Sequence, residues 1–295
     1  MSVDAKGVIH DIGYQRYDGP RLGRGYAMRS LYAHGVRNAY GLGRTAKAMI
    51  FPWIVAGLVF LVAAVLTAIR AASGEVVLSY WAFPQAIVVL IILFCAVVAP
   101  ELVSRDLRGG VLPLYFSRPL TRWDYALAKL AALITAVFAL IAGPQLLMFI
   151  GGAFTVDGSA VWGEFLNFLR GLAASGVYAV VFGSLALLVA SLAGRRAVAA
   201  AMIVGLFLIT TPVYGVLMGL AYSNYQGGEL TGSALRTSQL AGLVSPMMLV
   251  DGVSQWWFTA KNAVGPYGPL YGLVALGIVV VSVLLLLVRY RKVAR

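Results

Sequence analysis

Charged residues are scarce in this sequence, and its long apolar runs contain none. Only 12% of the 295 residues are charged, against 61% hydrophobic, whereas a soluble domain is about one-quarter charged. Because only helices satisfy their own backbone inside lipid over such uninterrupted runs, we predict an all-α integral membrane protein with six transmembrane helices. The six windows without Asp, Glu, Lys, Arg or His are 51–69, 80–99, 130–150, 171–193, 197–221 and 270–288.

Residues for catalysis or for metal binding are also few. The single cysteine, Cys95, has no partner for a disulfide or a CxxC site, and the two histidines, His10 and His34, lack paired ligands for zinc. The nucleotide-binding pattern G-x-x-x-x-G-K-[ST] does not occur. Acids that would hold magnesium pyrophosphate are missing from the apolar runs. The sequence therefore predicts a chain that is not an enzyme and that holds no cofactor of its own.

The connecting segments alternate in charge. Segments 1–50, 100–129, 194–196 and 289–295 hold 19 of the 23 basic residues, whereas the intervening set (70–79, 151–170 and 222–269) holds four. The positive-inside rule therefore predicts a multi-pass protein of the cell membrane with both termini in the cytoplasm. The net charge of +12 then indicates topology, with some attraction to anionic lipid, rather than nucleic-acid binding.

Residues 1–49 form a predicted cytoplasmic arm ahead of a six-helix domain at 50–295. From about Ala27, apolar residues recur at three- and four-residue steps while arginines fall elsewhere, which predicts an amphipathic helix lying at the membrane interface. Such a helix is either a simple basic anchor or a contact for a cytoplasmic partner. Its candidate residues are Arg29, Tyr32, Val36, Arg37, Tyr40 and Arg44.

The segment 100–129 is long for a bare connection between helices. Ser104–Leu107 is predicted to cap and open a short helix, and Gly109-Gly110 permits a sharp break after it. Leu112, Leu114 and Phe116 would be exposed to water unless a partner covers them, and exposed apolar patches mark partner sites. We therefore expect a soluble protein to dock on this loop.

The order of residues in this loop resembles the first cytoplasmic loop of ABC-2-type permeases. The elements of the resemblance are Asp106-Leu107-Arg108, Gly109-Gly110, Leu112-x-Leu114, Ser117-Arg118-Pro119-Leu120, Arg122, Tyr125 and Lys129. The six-span layout, the helix before the first span, the tight fourth-to-fifth connection and the long segment 222–269 resemble the same family. Pro113 departs from the family, whose members often keep this part of the loop helical.

The resemblance implies the permease subunit of an ATP-binding-cassette exporter. Its implied partners are a second permease protomer, identical or different, and two cytoplasmic ATPase subunits that hold ATP and magnesium. It also implies a coupling helix between the second and third spans, and a second cytoplasmic contact at Arg195 and Arg196, which could equally be topology charges. The implied coupling residues are Glu101, Arg105, Asp106, Arg108, Gly109, Gly110, Leu112, Arg118 and Arg122.

Polar residues within the spans have two interpretations. They either allow helices to pack closely or line a substrate path, for which an amphiphilic or hydrophobic substrate is the more compatible one. The candidates are Gln145, Tyr178, Thr210, Thr211 and Tyr214. In the extracytoplasmic segment 222–269, one or two short helices are expected on or in the outer leaflet. The alternative function is a membrane scaffold or assembly factor that docks a soluble partner without transport.

Overall fold

The computed structural model describes residues 19, 22–43, 46–108, 120–156, 158–223, 232–259 and 263–292. These residues form α-helices joined by short turns and three single-turn 3₁₀ helices, and they contain no strand, which confirms the all-α prediction. The helices are α1 (Arg24–Ala39), α2 (Ala46–Ser73), α3 (Phe83–Ala86), α4 (Val88–Arg108), α5 (Arg122–Ala153), α6 (Val161–Leu192), α7 (Arg196–Tyr222), α8 (Gly232–Ala241), α9 (Pro246–Phe258) and α10 (Gly268–Lys292).

Five of the described helices, α2, α5, α6, α7 and α10, are long and apolar enough to cross a membrane. They contain four of the six predicted windows completely, and all of the window 171–193 except Ala193. The remaining window, 80–99, is divided between α3 and α4 by a break at Ile87, and Pro84 lies at the start of α3. The apolar part of α4, Val88–Val103, is therefore shorter than the membrane-length helices. The structure confirms a multi-helix membrane bundle but not the count of six spans.

The long segment before the last span contains two short helices, α8 and α9. Pro246 occupies the first turn of α9, where its missing N–H costs no helical hydrogen bond. It therefore begins a helix instead of interrupting the apolar stretch around it. Helix α9 contacts α6, α7 and α10, so this segment packs into the bundle.

Helix α1 is shorter than the predicted amphipathic helix, whose candidate residues extend to Arg44. It ends at Ala39 because Gly41 and Gly43 adopt positive φ angles of 71° and 79°, which reverse the chain before α2. Its buried face consists of Leu31, Gly35 and Ala39. Tyr32 and Val36 from the predicted stripe are half-buried beside that face.

Helix α1 packs along the first half of α5. The 32 residues of α5 give it a length of about 48 Å, which exceeds the roughly 30 Å hydrocarbon thickness of a bilayer. Tyr32 Oη lies 3.0 Å from Thr135 Oγ1, and the Tyr40 hydroxyl donates to the Ala136 carbonyl at 2.8 Å. Burial raises the pKa of Tyr40 to about 12. Helix α1 therefore packs against the part of α5 that exceeds the hydrocarbon thickness of the bilayer.

Close contact between α1 and α5 depends on Gly35, and this gives a first prediction. A Cβ at Gly35 would lie 2.7 Å from the Ala132 Cβ, which has no torsional freedom to move away. We expect Gly35→Ala to loosen α1 from α5 and to accelerate tryptic cleavage at the exposed Arg29 and Arg37 several-fold. The measurement is a cleavage time course of the purified protein in nanodiscs.

Gly25 is the matched control, because it lies in the same helix and nothing stands within 4 Å of an added Cβ. Gly25→Ala is expected to leave cleavage unchanged or slower, since alanine is favoured over glycine in helices by about 0.5–1 kcal/mol. The double variant with Ala132→Gly should restore protection to Gly35→Ala. Equal cleavage of the two single variants would contradict the packing argument.

Candidate functional site

A buried ion pair joins the last turns of α4 to the first turns of α5. Lys129 Nζ lies 2.9 Å from Asp106 Oδ2, and their side chains are only 3% and 15% exposed. The Tyr125 hydroxyl donates to the same Asp106 oxygen at 2.7 Å. The Lys129 ammonium also lies 5.4 Å from the centre of the Tyr125 ring, within cation–π range. These contacts fix the two helices that flank residues 109–119.

The C-terminal turns of α10 pack against the same part of α5. The rings of Tyr125 and Tyr290 meet edge to face, with 5.3 Å between their centres. Arg122 Nη1 donates to the Arg291 carbonyl at 3.0 Å. The Arg291 guanidinium lies 4.7 Å from the centre of the Trp123 ring. The start of α5 is therefore held from the side of α10 as well as from α4.

The N-terminus of α5 carries a capping box that also binds α1. The Thr121 side chain accepts from the Asp124 N–H, and the Asp124 carboxylate accepts from the Thr121 N–H at 2.9 Å. The same carboxylate accepts two hydrogen bonds from Arg24, from Nε at 2.7 Å and from Nη2 at 2.6 Å. Hydrogen bonding to Asp124 and its charge raise the pKa of the Arg24 guanidinium. Asp124 thus takes part in the N-terminal cap of α5 and also binds α1 through Arg24.

A further ion pair connects α4 with α7. Glu101, five residues before Asp106 on α4, pairs with Arg196 at the first position of α7. The Arg196 side chain is 46% exposed and that of Glu101 is 19% exposed. We call the region where these contacts meet the basic end: α1, the last turns of α4 and α10, and the first turns of α5 and α7.

The structure places the predicted coupling residues in three groups. Glu101, Asp106 and Arg122 take part in the contacts of the basic end. Residues 101–108 continue α4 across Pro100 to Arg108, so the helix predicted to open at Ser104 is not a separate element. The side chains of Arg105 and Arg108 lie outside the described part of the structure. The residues Gly109, Gly110, Leu112 and Arg118 lie outside it entirely.

The other predicted contact residues lie at the same end. Arg195 is exposed beside Arg196, and both fall in the tight connection between α6 and α7. On α1, Arg29 and Arg37 are exposed, whereas Tyr40 lies against α5 and also against Phe94 of α4, with 5.6 Å between the ring centres. Arg44 lies outside the described residues.

Sequence reasoning gave no role to several residues that hold this end together. The spacing of Thr121 and Asp124 is a visible capping signal. Lys129 follows Tyr125 by one helical turn, which is also visible. Arg24 and Tyr290 carry no comparable signal, because their partners are about 100 residues or more away in the chain.

A second polar cluster lies at the opposite, far end of the bundle. Arg70 at the end of α2 pairs with Glu164 in the first turn of α6, with Nη2 donating to Oε2 at 3.0 Å. Their side chains are 11% and 8% exposed. The Tyr80 hydroxyl also binds Glu164. Gln145 Nε2 donates to the Tyr80 carbonyl at 2.9 Å, while its Oε1 is buried with no hydrogen-bond partner among the described residues.

The remaining predicted path residues lie elsewhere, around α9. The Tyr178 hydroxyl donates to Gln85 Oε1 at 2.8 Å. Thr210 Oγ1 lies 3.3 Å from the Ser245 hydroxyl, and Thr211 Oγ1 lies 3.6 Å from Met247 Sδ. Tyr214 follows one turn later on α7. The structure thus brings Thr210 and Thr211 to the start of α9, places Tyr178 against α3, and leaves Gln145 with the far-end cluster.

Comparison with models of protein families shows what the chain is similar to. A family model described as ABC-2 family transporter protein matches residues 82–293. The matched region runs from the residue before α3 to the C-terminal end of α10. It therefore includes all of α9 and the whole of the basic end except α1. No curated protein matches the chain.

Proposed function

The chain belongs to the ABC-2 family of transporter proteins, and we propose that it is a permease subunit whose basic end is driven by a separate ATPase. In this proposal two ATPase subunits hydrolyse ATP with magnesium, and two permease protomers together form the path for an exported substrate. The chain itself contributes no nucleotide site.

The topology of the proposal follows from charge and helix order. Helices α3 and α4 together serve as the sixth crossing, because their combined length approaches that of the other spans. An even number of crossings brings both termini to one side, and the excess of Lys and Arg makes that side the cytoplasm. Helix α1 then lies along the cytoplasmic extension of α5, against the membrane surface.

The observation that carries the proposal is the set of contacts at the basic end. Residues 109–119 connect the end of α4, just after Asp106, with the Thr121 cap of α5. Because Asp106 and Lys129 join these two helices, a force on the connecting residues moves both helices together. Glu101 transmits the motion to α7 through Arg196, and Arg24 transmits it to α1. ATP-driven closure of the ATPases would bias the bundle through these contacts.

Helix α7 is the proposed face toward the second protomer. It is the least buried of the five membrane-length helices, with 17% of its apolar window buried. Ile209, Val216 and Leu220 point outward from it, at 72%, 63% and 63% exposure. A partner there would place Thr210, Thr211 and Tyr214 beside the dimer interface, where family permeases form their path.

The test of coupling uses Glu101 and Arg196. Breaking this half-exposed pair is expected to cost at most about 1 kcal/mol of stability, so the protein remains folded. We expect Arg196→Glu to reduce permease-dependent ATPase activity at least several-fold in nanodiscs. The double variant Glu101→Arg/Arg196→Glu should recover much of it by restoring opposite charges.

Arg170 provides the control, because it is exposed near the far end and hydrogen-bonds only locally to Asn167 among the described residues. Arg170→Glu should leave ATPase activity unchanged. A stable permease that copurifies with no ATPase would reject the transporter and favour the scaffold. Copurification with activity unaffected by Arg196→Glu would retain the transporter and reject this coupling contact.

A further inference from the structure

An apolar groove of about 710 Å³ lies where α6, α9 and α10 meet. Fourteen of the described residues line it, and apart from the indole nitrogens of Trp256 and Trp257 none of them has a polar side chain. A charged or hydrogen-bonding group in the groove would therefore find almost no partner, and burying such a group without one is costly. The lining selects hydrocarbon as the occupant.

Small residues on α6 and α10 leave the space of this groove open. Gly176 of α6 lines it, and nothing stands within 4 Å of a Cβ added there. On α10, a Cβ at Gly272 would lie 3.2 Å from the Trp256 ring, and a Cβ at Gly268 would collide with the same ring. Trp256 is thus seated directly against the backbone of α10, which fixes one wall of the groove.

The length of the groove matches one leaflet of a bilayer. On α10 its lining residues extend from Pro269 to Val279. Ten rises of 1.5 Å give about 15 Å, which is half of the roughly 30 Å hydrocarbon thickness of a bilayer. Trp256 lies against the first turns of α10, and tryptophan favours the head-group level. In the proposed topology this is the outer leaflet, so the groove spans the depth of one outer-leaflet acyl chain.

The groove opens sideways, toward the surrounding lipid. Leu273 and Leu276 line it and are 67% and 60% exposed. None of its described lining residues belongs to α7, the proposed face toward the second protomer. A stable protein interface takes about 20–30 residues a side, which is more than the fourteen found here. The size and position of the groove therefore favour a lipid chain over a second copy of this chain.

We propose that the groove binds one acyl chain of an outer-leaflet phospholipid and retains it when bulk lipid is removed. The bound chain contacts α6, α9 and α10 together, and the apolar surface that it covers stabilises the packing of α9 against the two long helices. This lipid is a resident ligand and is distinct from the transported substrate. The proposal goes beyond the proposed function and holds for a permease and for a scaffold alike.

The experiment uses a phosphatidylcholine with a diazirine in the middle of one acyl chain, added to the delipidated protein in detergent. After irradiation, mass spectrometry identifies the labelled peptides. We expect labelling of α6, α9 and α10 around the groove that saturates near one lipid per protomer. The exposed apolar face of α2, which includes Ile54, Leu58 and Leu61, should be labelled at least about tenfold less, a difference of about 1.4 kcal/mol in binding.

Two variants fill the groove from different positions on α6. Gly176→Phe and Ala173→Phe each place a ring among the lining residues, and each should lower labelling of the groove at least about tenfold. Gly57→Phe is the matched control, because Gly57 is an exposed residue of α2 with nothing within 4 Å of an added Cβ. It should be labelled like the unchanged protein. Thermal unfolding of each variant identifies any that fails to fold.

Two outcomes would overturn the proposal. One is equal labelling of the groove and of the α2 face, and the other is unchanged labelling of a folded Gly176→Phe or Ala173→Phe variant. Leu276→Cys tests a second copy as the occupant, since Cys95 is buried. A disulfide-linked dimer through the new cysteine would assign the groove to a protein contact and also overturn the proposal. None of these measurements needs an ATPase, so their failure is distinct from failure of the coupling test.

Discussion

Lys129→Met is expected to lower the free energy of unfolding by about 3–5 kcal/mol, because it leaves Asp106 as a buried charge without its partner. The side chains of this pair are 3% and 15% exposed, so water can solvate the orphaned carboxylate only slightly. The measurement is thermal or denaturant unfolding in one fixed detergent, followed by tryptophan fluorescence. We also expect loss of permease-dependent ATPase activity, since α4 and α5 would no longer move together.

The double variant Asp106→Asn/Lys129→Met distinguishes the interaction between the two charges from the separate contribution of each side chain. Asparagine retains an acceptor for the Tyr125 hydroxyl, and no charge remains buried. We expect the double variant to recover at least half of the lost stability, a coupling that a double-mutant cycle would measure. Arg289→Met, which removes an exposed cation of α10 at the same end, should change stability by less than about 0.5 kcal/mol. Equal losses from Lys129→Met and Arg289→Met would show that burial of the pair contributes little.

The membrane-length helices could be predicted from the sequence because uninterrupted apolar runs have only one stable backbone in lipid. The prediction was incomplete at 80–99, where Pro84 lies near the beginning of an apolar window and the chain breaks at Ile87. Composition measures how apolar a window is, but it does not decide between one helix and two. The end of α1 was misplaced for a similar reason, since the positive φ angles of Gly41 and Gly43 override the apolar periodicity.

The site was less predictable than the fold, since its contacts join distant parts of the chain. A pattern indicates which face of a helix is apolar but not which helix it will meet. Arg70 illustrates this limit: it lies outside the apolar windows and was counted as a charge of a connecting segment, yet in the structure it pairs with Glu164 of α6.

Charge at the two ends of the bundle has different consequences for motion. At the basic end, part-exposed pairs such as Glu101 with Arg196 can exchange partners at little cost. At the far end, Arg70, Tyr80 and Glu164 are nearly enclosed and tie α2 to α6. Breaking such a pair is costly. The ion pairs at the basic end, where the ATPase is proposed to dock, can therefore rearrange at little cost. The far-end pair resists separation of α2 from α6.

Glu164→Gln should accordingly destabilise the protein by about 3–5 kcal/mol, because Arg70 would remain buried without a counter-charge. Gly152 packs directly against this pair: a Cβ there would lie 2.6 Å from Arg70 Nη1 and 2.8 Å from Glu164 Oε1. The site therefore has little room for water to replace the lost charge. Unfolding under the conditions used for Lys129→Met measures the effect.

The double variant Arg70→Met/Glu164→Gln should recover part of this loss. Tyr80→Phe alone should cost less, about 1–2 kcal/mol, because it removes the contacts of the hydroxyl with Glu164 and the Met148 carbonyl but leaves the ion pair intact. Arg170→Gln is the matched control on α6, since its side chain is exposed. If the far-end pair holds α2 against α6, Glu164→Gln will also accelerate proteolysis of the 74–82 connection. A variant that unfolds like the unchanged protein would mean that the contacts of α2 with α4 and α5 hold it in place without the ion pair.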